Sequence, residues 1–139
     1  GRHVRIENLS LSSESTRIEG AHGDTLEIVA DFEPGNASAF GLKVRCSEDG
    51  RDAVTLRYAD GTLDVAGTEV PLALEEERTT IKLHVFLDKS VMEVFINDGR
   101  ASVTRVNYPG EEDLGIAAFS ENGRVTLKSL DVWQMKPIW

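Results

Sequence analysis

The sequence predicts an all-β chain, folded as an antiparallel β-sandwich of about ten strands of the lectin-like or jelly-roll type. Three observations carry this. Apolar residues alternate with polar ones over several short runs, which is the period of a half-buried strand. Asp-Gly or Asn-Gly pairs at 49–50, 60–61, 98–99 and 122–123 each stand between strand-like runs and supply cheap positive φ for tight turns. No long segment repeats apolar residues at i, i+3, i+4 and i+7, so helix is minor.

Taken in order, Val4, Ile6, Leu9 and Leu11 mark a first strand interrupted at Glu7-Asn8. Ser12 to Thr16 is polar and reads as a loop, and Gly20-Ala21-His22-Gly23 as a turn. Thr25 to Phe32 resumes the alternation and Pro34-Gly35-Asn36 ends it. Phe40–Arg45, Ala53–Tyr58 and the short return Thr62–Val65 follow, while Val70-Pro71-Leu72 is an edge or loop because proline cannot donate to a ladder. Short helical turns are expected near Leu74–Arg78.

The central stretch is Thr80 to Tyr108. Ile81, Leu83, Val85 and Leu87 alternate with Lys82, His84 and Phe86, and Lys89-Ser90 separates this run from the next. A two-residue loop there pairs Asp88 with Val91, Leu87 with Met92, Val85 with Val94 and Leu83 with Ile96. One face is then wholly apolar, and a slip of one residue would put Val94 and Ile96 in water. Asp98-Gly99 turns the chain into a third strand, Ala101–Val106. Leu114–Phe119 and Val125–Met135, around Asn122-Gly123, close the chain, with Trp133 expected to pack into the sandwich.

The composition bounds the function. The chain has 139 residues, enough for one domain (residues 1–139) that buries roughly 68% of its unfolded surface without covalent staples. Hydrophobic residues make up 40% of it with few aromatics, so the core is mainly Val, Leu and Ile. A single cysteine, Cys46, excludes an internal disulfide and reads as a small half-buried side chain. The net charge of −9, without a Lys/Arg cluster, argues against nucleic acid. No apolar run is long enough for a transmembrane helix. No signal peptide is visible, but one would lie upstream of Gly1, so a secreted and a cytoplasmic location both stand open.

Catalytic and cofactor chemistry is sparse. His3, His22 and His84 lie far apart, without metal-ligand spacing, and Asp49, Asp52 and Asp60 do not form a calcium loop. No nucleophile elbow, phosphate loop or dinucleotide fingerprint is present, so neither a cofactor nor a metal is expected. What remains is the second face of the central hairpin. His84, Phe86, Glu93 and Phe95, with Thr104 from the third strand, place two rings beside a carboxylate and polar groups. A sugar would use such a surface, stacking on a ring while its hydroxyls meet acceptors. The same residues also suit a sandwich interior, which is the preferred reading, or a surface that docks another domain.

The run LHVFLDKSVMEVFINDG, then Thr104, Tyr108-Pro109 and the closing LKSLDVWQMKPIW, resembles the C-terminal β-sandwich module of glycoside hydrolase family 32, the invertase, levanase and inulinase-type fructosidases. Asp88, Ser90, Glu93, Phe95, Asn97 and Gly99 carry the match, which is clearest from His22 to Trp139. The resemblance implies a concanavalin A-like sandwich attached to a separate catalytic β-propeller, whose acidic residues sit in WMNDPNG-like, Arg-Asp-Pro and Glu-Cys motifs. None of those motifs occurs in this sequence: it has no Asp-Pro, and Arg45 precedes Cys46. The implied role is therefore a non-catalytic C-terminal module supporting a propeller partner. The alternative is a carbohydrate-binding module for fructans or terminal fructose, through His84, Phe86, Glu93, Phe95 and Thr104. A free-standing lectin or adhesion domain ranks last, since it would lack the Tyr-Pro-to-Trp tail.

Overall fold

The computed structural model describes residues 3–49, 51–72, 80–97, 101–106 and 113–135, the side chains of 101–106 excepted. Within these residues twelve strands form two six-stranded antiparallel sheets. The strands are β1 (His3–Ser12), β2 (Ser15–His22), β3 (Thr25–Pro34), β4 (Ala39–Cys46), β5 (Val54–Ala59), β6 (Thr62–Val65), β7 (Thr68–Pro71), β8 (Ile81–Asp88), β9 (Val91–Ile96), β10 (Ala101–Val106), β11 (Gly115–Glu121) and β12 (Arg124–Gln134). Sheet A runs β1-β12-β3-β8-β9-β10 and sheet B runs β2-β11-β4-β5-β6-β7. The sandwich is as expected, with two strands more than the sequence suggests.

The alternating patterns converge between the sheets. Leu26, Ile28 and Phe32 of β3, Ile81, Leu83 and Val85 of β8, and Met92, Val94 and Ile96 of β9 are all at most 1% exposed. They meet Leu42 and Val44 of β4, Leu56 of β5, Leu63 and Val65 of β6, and Ile116 and Ala118 of β11 in one continuous core. Phe32 and Phe40 bridge the two layers with ring centroids 5.1 Å apart. Each fully buried aliphatic side chain contributes about 1.5–3 kcal/mol, which makes this interior the main source of stability.

The central hairpin has the expected register: Asp88 opposes Val91, Leu87 Met92, Val85 Val94 and Leu83 Ile96. Lys89 takes a φ of 54° in the two-residue loop. Asp60-Gly61 also closes a two-residue hairpin, with φ of 49° and 76°, the positive pair that a type I′ turn requires. β7 is the edge strand that Pro71 called for. Gly50, Asp98-Gly99, the helical turns at 74–78 and the tail 136–139 lie outside the described residues.

Four expectations about strands, turns and burial need correction here. Asn122-Gly123 has positive φ at both residues, yet it is no hairpin turn: β11 belongs to sheet B and β12 to sheet A, so the chain crosses layers there. Ser12–Thr16, read as a loop, and Gly20–Gly23, read as a turn, both overlap the edge strand β2, whose pairing with β11 is irregular between Gly115 and Ala117, so Ile18 and Ala21 are both buried without strict alternation. Cys46 is fully buried, 4% exposed, and burial pushes its thiol pKa up. Trp133 does not enter the core. Register between β12 and β3 shifts between Leu127 and Ser129, so Leu130 and Val132 point inward and Trp133 stays on the outer face.

One buried cation ties the layers together at the β4 end. Arg45, 6% exposed with a φ of 50°, donates from Nε to the Asp113 carbonyl and from a terminal nitrogen to the Lys89 carbonyl, each at 2.6 Å. Lys89 belongs to the sheet A hairpin, whereas Asp113 leads into β11 of sheet B.

Candidate docking and binding face

The outer face of sheet A is a lattice whose rows follow from the strand registers. In one row, His3 of β1 opposes Trp133 of β12, which opposes Glu27 of β3, then Phe86 of β8, Glu93 of β9 and Thr104 of β10. The next row holds Arg5, Asp131, Val29, His84, Phe95 and Ser102 in the same strand order. Successive residues of a strand alternate faces, so from β1 to β9 both rows point away from sheet B. His84, Phe86, Glu93 and Phe95 thus share one face. The side chain of Thr104 is outside the described residues; its backbone position is directly opposite Glu93.

This placement corrects the preferred reading of the second face as sandwich interior. The core takes the other face of β8 and β9, and His84, Phe86, Glu93 and Phe95 are half-buried on the outside. His84 Nε2 is 2.7 Å from Glu27 Oε2, with side-chain exposures of 34% and 30%. The imidazole lies 4.6 Å from the Phe86 ring, and Phe86 meets Phe95 edge-on at 6.0 Å and 86°. The partner Glu27 comes from β3, distant in sequence; the alternation through Glu27, Val29 and Asp31 places it on this face, but only the β3–β8 pairing brings it to His84.

A second cluster lies beside the first. The His3 ring stacks on Trp133 at 4.9 Å and 3°. The Asp131 carboxylate accepts from His3 Nε2 at 2.8 Å and from Arg5 at 2.5 Å. Burial disfavours its charge, but these donors outweigh that and hold its pKa below the usual carboxylate value.

The sequence did not point to the open grooves. One of about 600 Å³ lies along β2, lined by Arg17, Glu19, His22, Glu48 and Gly115 among others. Its arginine already donates to the carbonyls of Cys46, Ser47 and Glu48. Among the described residues no cluster of His, Cys, Asp and Glu is arranged to hold a metal ion.

A family model described as glycosyl hydrolases family 32 C terminal matches residues 2–134. The levanase of Bacillus subtilis (strain 168) is 31% identical over 100% of this chain and 23% of its own length. The sucrose-6-phosphate hydrolase of Escherichia coli is 34% identical over 96% of this chain and 29% of its own. The chain therefore spans less than a third of these curated relatives. Among solved structures, fructan 1-exohydrolase IIa from Cichorium intybus superposes with a TM-score of 0.85 at 16% identity, over 99% of this chain and 36% of that one. The exo-inulinase of Aspergillus awamori gives 0.79 at 20% identity, over 99% and 29%. These two confirm the fold. The chain belongs to the glycosyl hydrolase family 32 C-terminal family, and the match includes β1 and β2, where the resemblance read from sequence was weakest.

Proposed function

We propose that this chain, residues 1–139, is one β-sandwich domain of a larger two-domain enzyme that hydrolyses fructans or sucrose. It serves as the non-catalytic C-terminal module and supports a catalytic β-propeller that lies elsewhere in the same polypeptide. One observation carries the reading: the C-terminal family model spans residues 2–134, yet the whole chain corresponds to only 23% of a levanase and 29% of a sucrose-6-phosphate hydrolase. The three catalytic motifs that the family resemblance implies are missing from the sequence. A glycosidase needs two carboxyl groups flanking one bond, one as acid and one as base or nucleophile. On the outer face of sheet A the carboxylates of Glu27 and Asp131 are each bonded to a histidine, which suits structure better than bond cleavage.

The frame upstream of Gly1 tests this directly. A propeller carrying an Asn-Asp-Pro motif is expected there, and the purified 139-residue chain is expected to release no fructose from sucrose, levan or inulin. An unrelated upstream domain, or fructose release by the chain alone, would overturn the proposal.

The alternative function, recognition of fructans or terminal fructose by His84, Phe86, Glu93, Phe95 and Thr104, has the rings and acceptors on one face in its favour. The ring geometry is against it. A stacking platform needs a ring lying flat and open, but Phe86 and Phe95 stand edge to face and His84 covers Phe86. Calorimetry against levan, inulin and sucrose is expected to show no heat.

A further inference from the structure

Resting on the reading of the chain as a C-terminal module, we infer that the outer face of sheet A is the surface on which the catalytic domain docks, and that this partner presents hydrogen-bond donors and cationic side chains to it.

Several independent features meet on this one face. The large hydrophobic residues left exposed among the described residues are Val91 and Met135, each 42% exposed. Val91 shares a face with Glu93 and Phe95, two and four residues along β9. Met135 follows Trp133 by two and donates its N–H to the Thr25 carbonyl, which extends the lattice by one row. That row runs through Thr25, Asp88 and Val91. The half-buried rings of Phe86 and Trp133 lie in the next row, and that of Phe95 in the row after. Apolar and aromatic residues ringed by polar ones are the composition of a protein interface.

The polar atoms point the same way. Among the described residues two buried side-chain oxygens have no hydrogen-bond partner, Asp31 Oδ1 and Asp88 Oδ1. Both residues alternate in phase with the outward positions of their strands, Asp31 with Glu27 and Asp88 with Phe86. A buried carboxylate oxygen lacking a donor is costly, and a partner's N–H groups would satisfy it. Glu7, Glu27, Asp31, Glu33, Asp88, Glu93 and Asp131 against Arg5, Lys82, Arg124 and Lys128 leave the described part of the face net acidic, so a cationic partner complements it.

Among the described residues the outer face of sheet B offers no such surface. There Phe119 is 4% exposed beneath the Lys43 ammonium, and Arg57 and Glu121 form a two-pronged ion pair. The area is also sufficient. Six strands are separated by five gaps of about 4.8 Å and four rows by three gaps of about 6.8 Å, which frames about 500 Å², or about 1,000 Å² counting both partners, within the range of interdomain contacts.

The test places single cysteines in the full parent polypeptide and follows maleimide labelling. Val91→Cys and Met135→Cys report on sheet A; Glu69→Cys, on the exposed edge of sheet B, is the reference, and native Cys46 is buried. Labelling at Val91→Cys and Met135→Cys is expected to be at least about tenfold slower than at Glu69→Cys, because access to solvent governs thiol reactivity. Equal rates at all three positions, or protection of Glu69→Cys alone, would overturn the docking assignment while leaving the proposed function standing. Protection that arises only when levan or inulin is added would overturn it in favour of sugar binding. An upstream frame without a catalytic domain would sink the proposed function itself, and that result is read from the gene before any labelling.

Discussion

Arg45 offers the sharpest test of how the two layers are held together. Its guanidinium donates to the carbonyls of Lys89 and Asp113, on segments belonging to different sheets, and its backbone has a left-handed φ of 50°. Hydrogen bonds from a charged donor contribute about 1.5–3 kcal/mol each, and removing the buried guanidinium also removes its desolvation cost. For Arg45→Ala these terms leave a net loss of about 3 kcal/mol. Arg45→Gly loses the same bonds but relieves about 1 kcal/mol of left-handed strain that a Cβ imposes. The glycine variant should therefore be the more stable of the two, by about 1 kcal/mol. Urea denaturation followed by circular dichroism, with a shared slope for the three proteins, measures both differences. The account fails if Arg45→Ala costs less than about 1 kcal/mol, or if Arg45→Gly is the less stable variant.

Other outcomes follow from the same geometry. A Cβ at Gly41 would stand 1.9 Å from the Leu56 carbonyl oxygen, which is backbone and cannot swing away. Gly41→Ala should cost at least about 3 kcal/mol by denaturation. A Cβ at Gly115 would meet the Arg17 guanidinium at 2.0 Å, the far end of a flexible side chain, so Gly115→Ala should cost only about 1 kcal/mol. Asn97, 3% exposed with a φ of 50°, accepts from the Lys82 N–H through Oδ1 at 2.9 Å. Asn97→Ala should lose about 1–3 kcal/mol, with Asn97→Asp, which keeps an acceptor, closer to wild type by the same assay. Asp131 has a depressed native pKa, so its stabilising share is present above the unfolded value of about 3.9 and disappears as pH falls through the lower native value. Denaturation midpoints from pH 6 down to 2 should show a shallower acid limb for Asp131→Asn.

How much could be read from the chain alone depended on how local each signal was. The β8–β9 hairpin was legible to the residue because strict alternation and a two-residue loop leave one register. Trp133 was misplaced because alternation carried on from Leu127 would turn Ser129, Asp131 and Trp133 inward; one extra residue at Lys128 reverses the phase. β2 was missed because its buried residues, Ile18 and Ala21, are three apart and the rest of the strand is polar. Asn122-Gly123 announced a turn, but a dipeptide cannot say whether the chain returns to its own sheet or crosses to the other. At the candidate face, same-strand spacing put His84, Phe86, Glu93 and Phe95 together. The Glu27 carboxylate beside His84, and the His3–Trp133 stack, depend on pairings between distant strands, which no local pattern encodes.

The order of strands in sheet A has a consequence for how the molecule comes to exist. β12, the last strand among the described residues, is not at the margin: it lies between β1, the first of them, and β3. While the chain is still being synthesised, β1 has no neighbour in its sheet, and the apolar sides of β1 and β3 have no covering strand between them. The sandwich can close only once translation has reached Gln134. A domain encoded upstream would have time to fold by itself first, since domains generally fold as units from the N-terminus onward. Premature termination just before β12 would leave not a shortened domain but an open sheet with unpaired edges at β1 and β3, suited to aggregation and to removal by proteases.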